Sequence, residues 1–547
     1  MIASPPRAWY WRLLLAFLLL DVLLLSPEFV WAGFPPHHWV ALEASLTLGV
    51  LAMLPPFRGH RALTGAVSLF AVILVLCAIG DALMQRMQGR SLNLYTDLGL
   101  LPILIELLVA NLGLTLTIVG LVALGLALLT TAQALNSLLR DVHRRAVPWP
   151  VGVLLALLSA AGIARLEAVP GGSDGWADRF GQPAVGFVAF EWDRALETRR
   201  ALASFGRLLE NAPVDSRPLP GLANRDVIVG FIESYGVAAI ERAPFAAEIR
   251  PRLDTLAQQL SDAGMSVVTG RITAATLGGQ SWLNHATFLS GLPVTSQLRF
   301  ELMLDSRRST LIDDFEATGH ITTAIMPGIL RDWPEGRRYG YDEIRTADRM
   351  HYRGPRLGWA SMPDQFTWQR VQDYALAAHD RPTFTELATL SSHAPWSPVI
   401  ELIDADTPLD DGAAFERWRG VGDDYASLWQ NAQAMRDNYA PAIDYALQAA
   451  GAFATAHVDA QTLLMVLGDH QAAPAIVGDN PGRDVPLHVI SGDPTLLEGF
   501  RDAGFRPGMI PPGPKQAMPM ADLRGLLHRL YGNAASGTRK AAAADDS

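Results

Sequence analysis

Thr462-Leu-Leu-Met-Val-Leu-Gly-Asp-His470 is a short apolar run closed by a glycine, a carboxylate and an imidazole. A run this short, apolar at successive positions, suits a strand buried on both faces rather than one with a wet side. Asp226-Val-Ile-Val-Gly-Phe-Ile-Glu-Ser-Tyr-Gly236 repeats the pattern and presents Glu233 at its end. Further runs at Ser266–Val268, Thr322–Ile325, Thr383–Leu390 and Leu487–Ile490 alternate with helical stretches. That alternation predicts an α/β domain with a largely parallel sheet, whose active site would gather at the carboxyl ends of the strands.

Outward from this domain the composition changes. Half of the 547 residues are hydrophobic, and the long apolar runs Leu13–Leu25, Ala66–Ile79 and Leu112–Leu129 crowd the first third. Stretches long enough to cross a bilayer predict an α-helical transmembrane bundle of about five spans, near 8–32, 38–56, 62–85, 112–136 and 148–166. Leu98–Leu108 is too short to cross and reads as a re-entrant or interfacial helix. Arg7 and Arg12, Arg58 and Arg61, and Arg140, Arg144 and Arg145 then fall on the cytoplasmic side, opposed by the smaller pair Arg86 and Arg90. An odd span count places the C-terminal domain outside the cytoplasm. The first span lacks a small-residue cleavage site and reads as a retained anchor. Asp21, Glu43, Asp81 and Glu106 lie in or beside apolar segments, where charge is costly; the plain reading puts them at interfaces or in pairs with arginine.

The domain boundaries read from this are 1–168 for the anchor, 169–224 for a linker, 225–533 for the catalytic domain and 534–547 for a small, polar, disordered tail. Within the linker, 189–211 has Phe190, Leu196, Leu202 and Leu208 among Arg194, Arg199, Arg200 and Arg207, an amphipathic pattern suited either to a membrane surface or to an ordinary surface helix. Cys77 is the single cysteine, which excludes an intrachain disulfide and a multi-cysteine metal site. The formal net charge is −11 and Lys515 and Lys540 are the only lysines, a balance poorly suited to nucleic acid.

Glu233 at one strand end and the Asp469-His470 pair at another can serve one divalent ion, and Gly468 before the pair would let the backbone approach a ligand. Leu277-Gly-Gly-Gln-Ser-Trp282 places Ser281 at the start of a helix predicted over Trp282–Leu289, where free N–H groups favour an anion. Taken alone, Ser281 is an N-cap. His393 reads equally as a loop histidine or a functional one. His488 reads as a strand histidine satisfied by a backbone group, or as part of a second metal site.

The ordered set Val-Ile-Val-Gly-Phe-Ile-Glu-Ser, Gly-Gly-Gln-Ser-Trp, Ser391-Ser-His-Ala-Pro-Trp396 and Val-Leu-Gly-Asp-His-Gln resembles the sulfatase-like branch of the alkaline phosphatase superfamily. With the apolar anchor and linker helix, the chain is similar to lipoteichoic acid synthases and related phosphoglycerol or phosphoethanolamine transferases. The resemblance implies an alkaline-phosphatase-like fold. It makes Glu233, Asp469 and His470 metal ligands and Ser281 the metal-bound nucleophile, for one Mn, Mg or Zn ion. It also implies that His393 contacts substrate and that Arg331, in Leu-Arg-Asp-Trp333, holds the donor head group. The synthases use threonine as nucleophile, which makes Thr276 the local alternative. Formylglycine chemistry needs Cys or Ser followed by x-Pro-x-Arg, and Ser281-Trp-Leu-Asn-His285 lacks both residues.

A divalent ion beside Ser281 would favour ionisation of its hydroxyl, and His393 could protonate the leaving alcohol. The reading that follows is a transferase at the outer face of the cytoplasmic membrane. It would move a phospho-alcohol group from a membrane lipid donor to an envelope glycan or lipid. A hydrolase of phosphate or sulfate esters and a non-catalytic sensor or scaffold are the competing classes.

Overall fold

The computed structural model describes residues 8–31, 38–55, 57–88, 90–144, 147–168, 179–306, 308–330, 332–422, 425–428 and 431–533. The expected tail and Arg331 lie outside the described residues. Two compact units divide the chain, one of residues 1–85 and 90–201, the other of 86–89 and 202–547.

In the first unit, three helices among the described residues are long and apolar enough to cross a membrane: Tyr10–Glu28, His60–Gln88 and Leu112–His143. They fit a chain inserted in a bilayer. The other two expected spans are the shorter apolar helices Leu42–Met53 and Trp149–Arg165, so by length the count is three rather than five. Leu42–Met53 is short because Leu54 turns extended ahead of Pro55 and Pro56, which cannot donate to a continuing helix. A Cβ on Gly49 would lie 2.8 Å from Ala156 N and 2.9 Å from Gly152 O, so the two short helices pack backbone to backbone at their glycines. The stretch after Leu98 forms a turn of 3₁₀ helix and then a helix interrupted at Gly113, with φ 77°. Asp21 and Asp81 are buried and accept the backbone N–H groups of Ala41 and Leu92 at 2.7 and 2.6 Å. Of the two expected placements, at an interface or in a pair with arginine, these two carboxylates take backbone N–H partners instead of an arginine hydrogen bond, whereas Glu106 is exposed.

The second unit is a sheet between two helical layers. Its main strands are β1 (Asp226–Ile232), β2 (Ser266–Thr273), β3 (Ile321–Met326), β4 (Glu343–Thr346), β5 (Thr383–Thr389), β6 (Thr462–Gly468) and β7 (Asp484–Ser491). They pair in the order β2-β7-β6-β1-β5-β3-β4, with two-residue strands at Arg506–Pro507 and Met518–Pro519 on β2. The strands β6, β1, β5, β3 and β4 run parallel to one another, while β7 runs antiparallel to both β6 and β2. The sheet is therefore mixed, and the expectation of a largely parallel one misses the reversed β7. Two successive reversals leave β2 ending on the same edge as β6 and β1.

Both faces of the sheet are sealed. Val227, Val229 and Phe231 of β1 join one apolar core with Leu283, Phe288, Phe315 and Leu527, from the helices Ser281–Ser290, Leu311–Thr318 and Asp522–Tyr531. Ile228 and Ile232 join the other with Leu253, Tyr439 and Ile443, from Ala246–Asp262 and Ala432–His457. The alternation is the ordinary strand period, apolar on both phases because helices cover both sides. A helix runs over Pro183–Asn211, where the sequence predicts 189–211. Phe205 and Leu209 are buried in it, whereas Phe190, Leu196 and Leu208 are exposed.

Candidate metal and nucleophile site

Adjacent parallel strands build the site. Ile232 of β1 is in register with Gly468 of β6, so the next residue on each, Glu233 and Asp469, emerge side by side. The Asp469 N–H donates to the Ile232 carbonyl at 3.2 Å, extending the ladder by one step. A Cβ on Gly468 would stand 1.8 Å from the Tyr235 carbonyl oxygen. This glycine therefore admits the chain's own backbone rather than a ligand, which corrects the reason given for it from sequence.

Glu233, Asp469 and His470 are all buried, and one ligand atom from each lies within 4.8 Å of the others. His470 Nε2 is 3.2 Å from Glu233 Oε1 and 3.5 Å from Asp469 Oδ2. Asp469 Oδ1 accepts the backbone N–H groups of Ser234 at 2.8 Å and His470 at 2.6 Å, which fixes the carboxylate and leaves Oδ2 turned to the imidazole. His470 Nδ1 sits 3.1 Å from the Gln471 carbonyl, so Nδ1 carries the proton of the neutral ring and Nε2 is the ligating atom.

Burial acts against ionised Glu233, yet the charge of His470 beside it holds its carboxyl well below the usual range. Burial, and then the charge of Glu233, push Asp469 up to about 7. Burial also opposes protonated His470, but Asp469 and Glu233 outweigh it and carry the imidazole up to about 9. Two carboxylates and an imidazole in a dry pocket call for positive charge. With oxygen and nitrogen donors and no sulfur among them, the set fits a divalent metal.

Ser281 completes the arrangement. Its Oγ donates to Glu233 Oε2 at 2.9 Å and lies 3.3 Å from His470 Nε2. It is the first residue of its helix, and the cap position is Gln280, so the N-cap reading of Ser281 does not hold. Thr276, the alternative nucleophile, is buried, and its hydroxyl donates to the Gly279 carbonyl at 2.8 Å.

On the other side of β1, the chain leaving β5 brings in His393. Ser392 Oγ donates to the Glu233 carbonyl at 2.7 Å, which ties this loop to the metal-type cluster. The His393 ring stacks on Trp359 at 3.8 Å and its Nδ1 donates to Ala394 O at 2.7 Å, leaving Nε2 to exchange protons. Burial lowers its pKa, and the nearby charge of Glu233 partly opposes that. Trp359 has no readable signal in sequence, because a lone tryptophan near Gly358 reads as core.

His488 does not join the site. It is fully buried in β7, with Thr269 Oγ1 2.8 Å from Nδ1 and Tyr235 OH 3.1 Å from Nε2. Two hydroxyls satisfy it, rather than the backbone group expected.

No protein-family model matches the chain, and no curated protein does. Solved structures similar to it include lipoteichoic acid synthase LtaP from Listeria monocytogenes, at 12% identity and TM-score 0.37, covering 57% of this chain and 73% of that one. Streptococcus pyogenes phosphoglycerol transferase GacH, in complex with sn-glycerol-1-phosphate, aligns at 12% identity and TM-score 0.38, covering 60% and 80%. The C-terminal periplasmic domain of EcEptC from Escherichia coli aligns at 12% identity and TM-score 0.36, covering 59% and 84%.

Proposed function

We propose that the chain is a membrane-anchored, metal-dependent transferase of the sulfatase-like alkaline phosphatase superfamily. In this reading it moves a phospho-alcohol group, phosphoglycerol or phosphoethanolamine, from a lipid donor to an envelope glycan or lipid. The observation that carries it is Ser281 Oγ at 2.9 Å from Glu233 and 3.3 Å from His470, over a cluster of two carboxylates and an imidazole.

Glu233, Asp469 and His470 would hold one divalent ion, Mn, Mg or Zn, whose charge would favour the ionised serine and offset charge on the ester oxygens. Ser281 Oγ attacks phosphorus, the bond from phosphorus to the donor's alcohol oxygen breaks, and the group remains on Ser281. His393, when protonated at Nε2 as well as Nδ1, gives the Nε2 proton to the departing alcohol and takes one back from the entering hydroxyl, which attacks phosphorus of the adduct and frees Ser281 with its oxygen ionised, as it began. Arg331 would hold the head group. Three long apolar helices among the described residues support anchoring, and in this reading the two shorter apolar helices cross as well, so that the larger arginine clusters stay cytoplasmic and residues 170–547 lie outside the cytoplasm of a bacterial-type inner membrane. An enzyme held at the bilayer meets a donor confined there.

Incubating the purified full-length chain with membrane lipids and a divalent metal, then measuring intact and peptide masses, tests the reading. A phosphoglycerol or phosphoethanolamine increment on the Ser281 peptide, absent in Ser281→Ala, is the expected result. A Ser281→Ala protein that still turns over donor at the wild-type rate overturns it. Release of the group to water alone, with no acceptor modified, makes the enzyme a hydrolase.

A further inference from the structure

The segment that delivers Ser281 is a tight loop with an unfavourable backbone. Gly278, Gly279 and Gln280 all have positive φ, at 70°, 142° and 63°. A left-handed residue with a side chain, as at Gln280, costs roughly 1–2 kcal/mol, so something must hold the loop in this shape. One tether lies on the metal side, where the Gly278 N–H donates to the Gln471 carbonyl at 2.9 Å, one residue beyond His470. The other is a side chain. Asn284 is fully buried one turn into the Ser281 helix, and its Oδ1 accepts the N–H groups of Ala275 at 2.7 Å and Thr276 at 3.2 Å. Its Nδ2 donates to Thr276 Oγ1 at 2.6 Å, and that hydroxyl in turn donates a hydrogen bond to Gly279 O at 2.8 Å.

We propose that Asn284 and Thr276 form a splint that positions Ser281: they lock residues 275–279 to the helix that Ser281 begins and so aim its hydroxyl at Glu233 and His470. This rests on the reading of Ser281 as nucleophile. The splint fits that task better than general stability. It links the helix to its own entry loop over a span of nine residues and spends every polar atom of the Asn284 side chain there. Its far end, Gly279, is two residues from Ser281. Neither residue touches the transferred group, so both are positioning residues. Loosening them should misplace the hydroxyl by a fraction of an ångström to an ångström, which lowers turnover without changing how substrate or metal is held.

The test uses the full-length, manganese-loaded protein in detergent with a chromogenic phosphodiester. Thr276→Val keeps the shape, removes the hydroxyl and leaves Asn284 Nδ2 and Gly279 O unpaired. Its kcat should fall roughly tenfold to 100-fold, with KM and metal per chain unchanged. Thr276→Ser, which restores the hydroxyl, should recover most of that loss. Asn284→Ala should behave like Thr276→Val or more severely, and the Thr276 pair decides the matter if it does not fold. A Thr276→Val kcat equal to wild type, or a fall that follows loss of metal, overturns the proposal. So does a covalent increment on Thr276 in place of Ser281. Wild-type protein with neither turnover nor adduct removes the transferase reading itself, a result distinct from a normal wild type with an indifferent Thr276→Val.

Discussion

Gly468→Ala isolates the packing that brings the two halves of the cluster together. The added Cβ would stand 1.8 Å from Tyr235 O, 2.8 Å from Tyr235 C and 3.2 Å from Val485 Cβ. Ordinary contact begins near 3.4 Å, so the closest approach is about 1.6 Å short and the obstacle is backbone, which cannot swing aside. Relief has to come from separating the end of β6 from the Ser234–Tyr235 turn. That separation stretches the 2.8 Å bond from Ser234 N–H to Asp469 Oδ1 and draws Asp469 and His470 away from Glu233. Overpacking of this kind costs about 1–3 kcal/mol, and a displacement of about 1 Å at a reacting centre costs roughly 100-fold in rate. The variant should melt lower, bind less than one metal per chain, and turn over the phosphodiester roughly 100-fold more slowly. Gly206→Ala is the control, since its Cβ meets nothing within 4 Å on a helix, and it should stabilise by about 0.5–1 kcal/mol. A Gly468→Ala protein with wild-type melting, metal content and rate would refute the argument that Tyr235 abuts this glycine.

Three further outcomes follow from other parts of the molecule. Asp314 is fully buried and accepts Arg524 Nε at 2.8 Å and Nη2 at 3.1 Å, His528 Nε2 at 2.8 Å and the Arg217 N–H at 2.8 Å. Asp314→Asn strands a buried guanidinium and should cost about 3–5 kcal/mol in urea unfolding; a loss within experimental error would show that the clamp is not needed. Burial lowers the His488 pKa to about 3 from an ordinary 6.5, so the unfolded chain binds the extra proton first. Stability from keeping this ring neutral is complete above pH 6.5 and declines as pH falls toward 3. His488→Gln should flatten the decline of melting temperature with acidification in that window, and parallel curves for the two proteins would exclude the effect. A reporter active only in the cytoplasm, fused after Ser547, should be silent; strong activity would reverse the topology.

Much of the site was readable one strand at a time. Val227–Ile232 and Leu463–Leu467 are apolar on both phases, which signals burial on both faces, and Glu233 and Asp469 then stand where such strands end. The strand Glu343–Thr346 gave no such signal, because as an edge strand it is half-buried and carries Glu343 and Arg345. Trp359 was equally silent, since its value lies in the ring of His393, 34 residues away in the chain and 3.8 Å away in space.

The sequence by itself determined that there are two solvents for this chain, which segments are the doubly buried strands, and which acids, imidazoles and hydroxyls were candidates for chemistry. Those are local properties, set by apolar period, glycine placement and run length. Only the tertiary structure decided that β7 reverses, so that β2 finishes on the same sheet edge as β6 and β1 and its following loop can carry Ser281 to Glu233. It set Ser281 against Glu233 while binding the Thr276 hydroxyl to Gly279, and it set His470 beside two carboxylates while enclosing His488 between two hydroxyls. Strand order and direction depend on pairings between segments far apart in sequence, and a hydroxyl or imidazole becomes a ligand or a structural bond according to which of those pairings it meets.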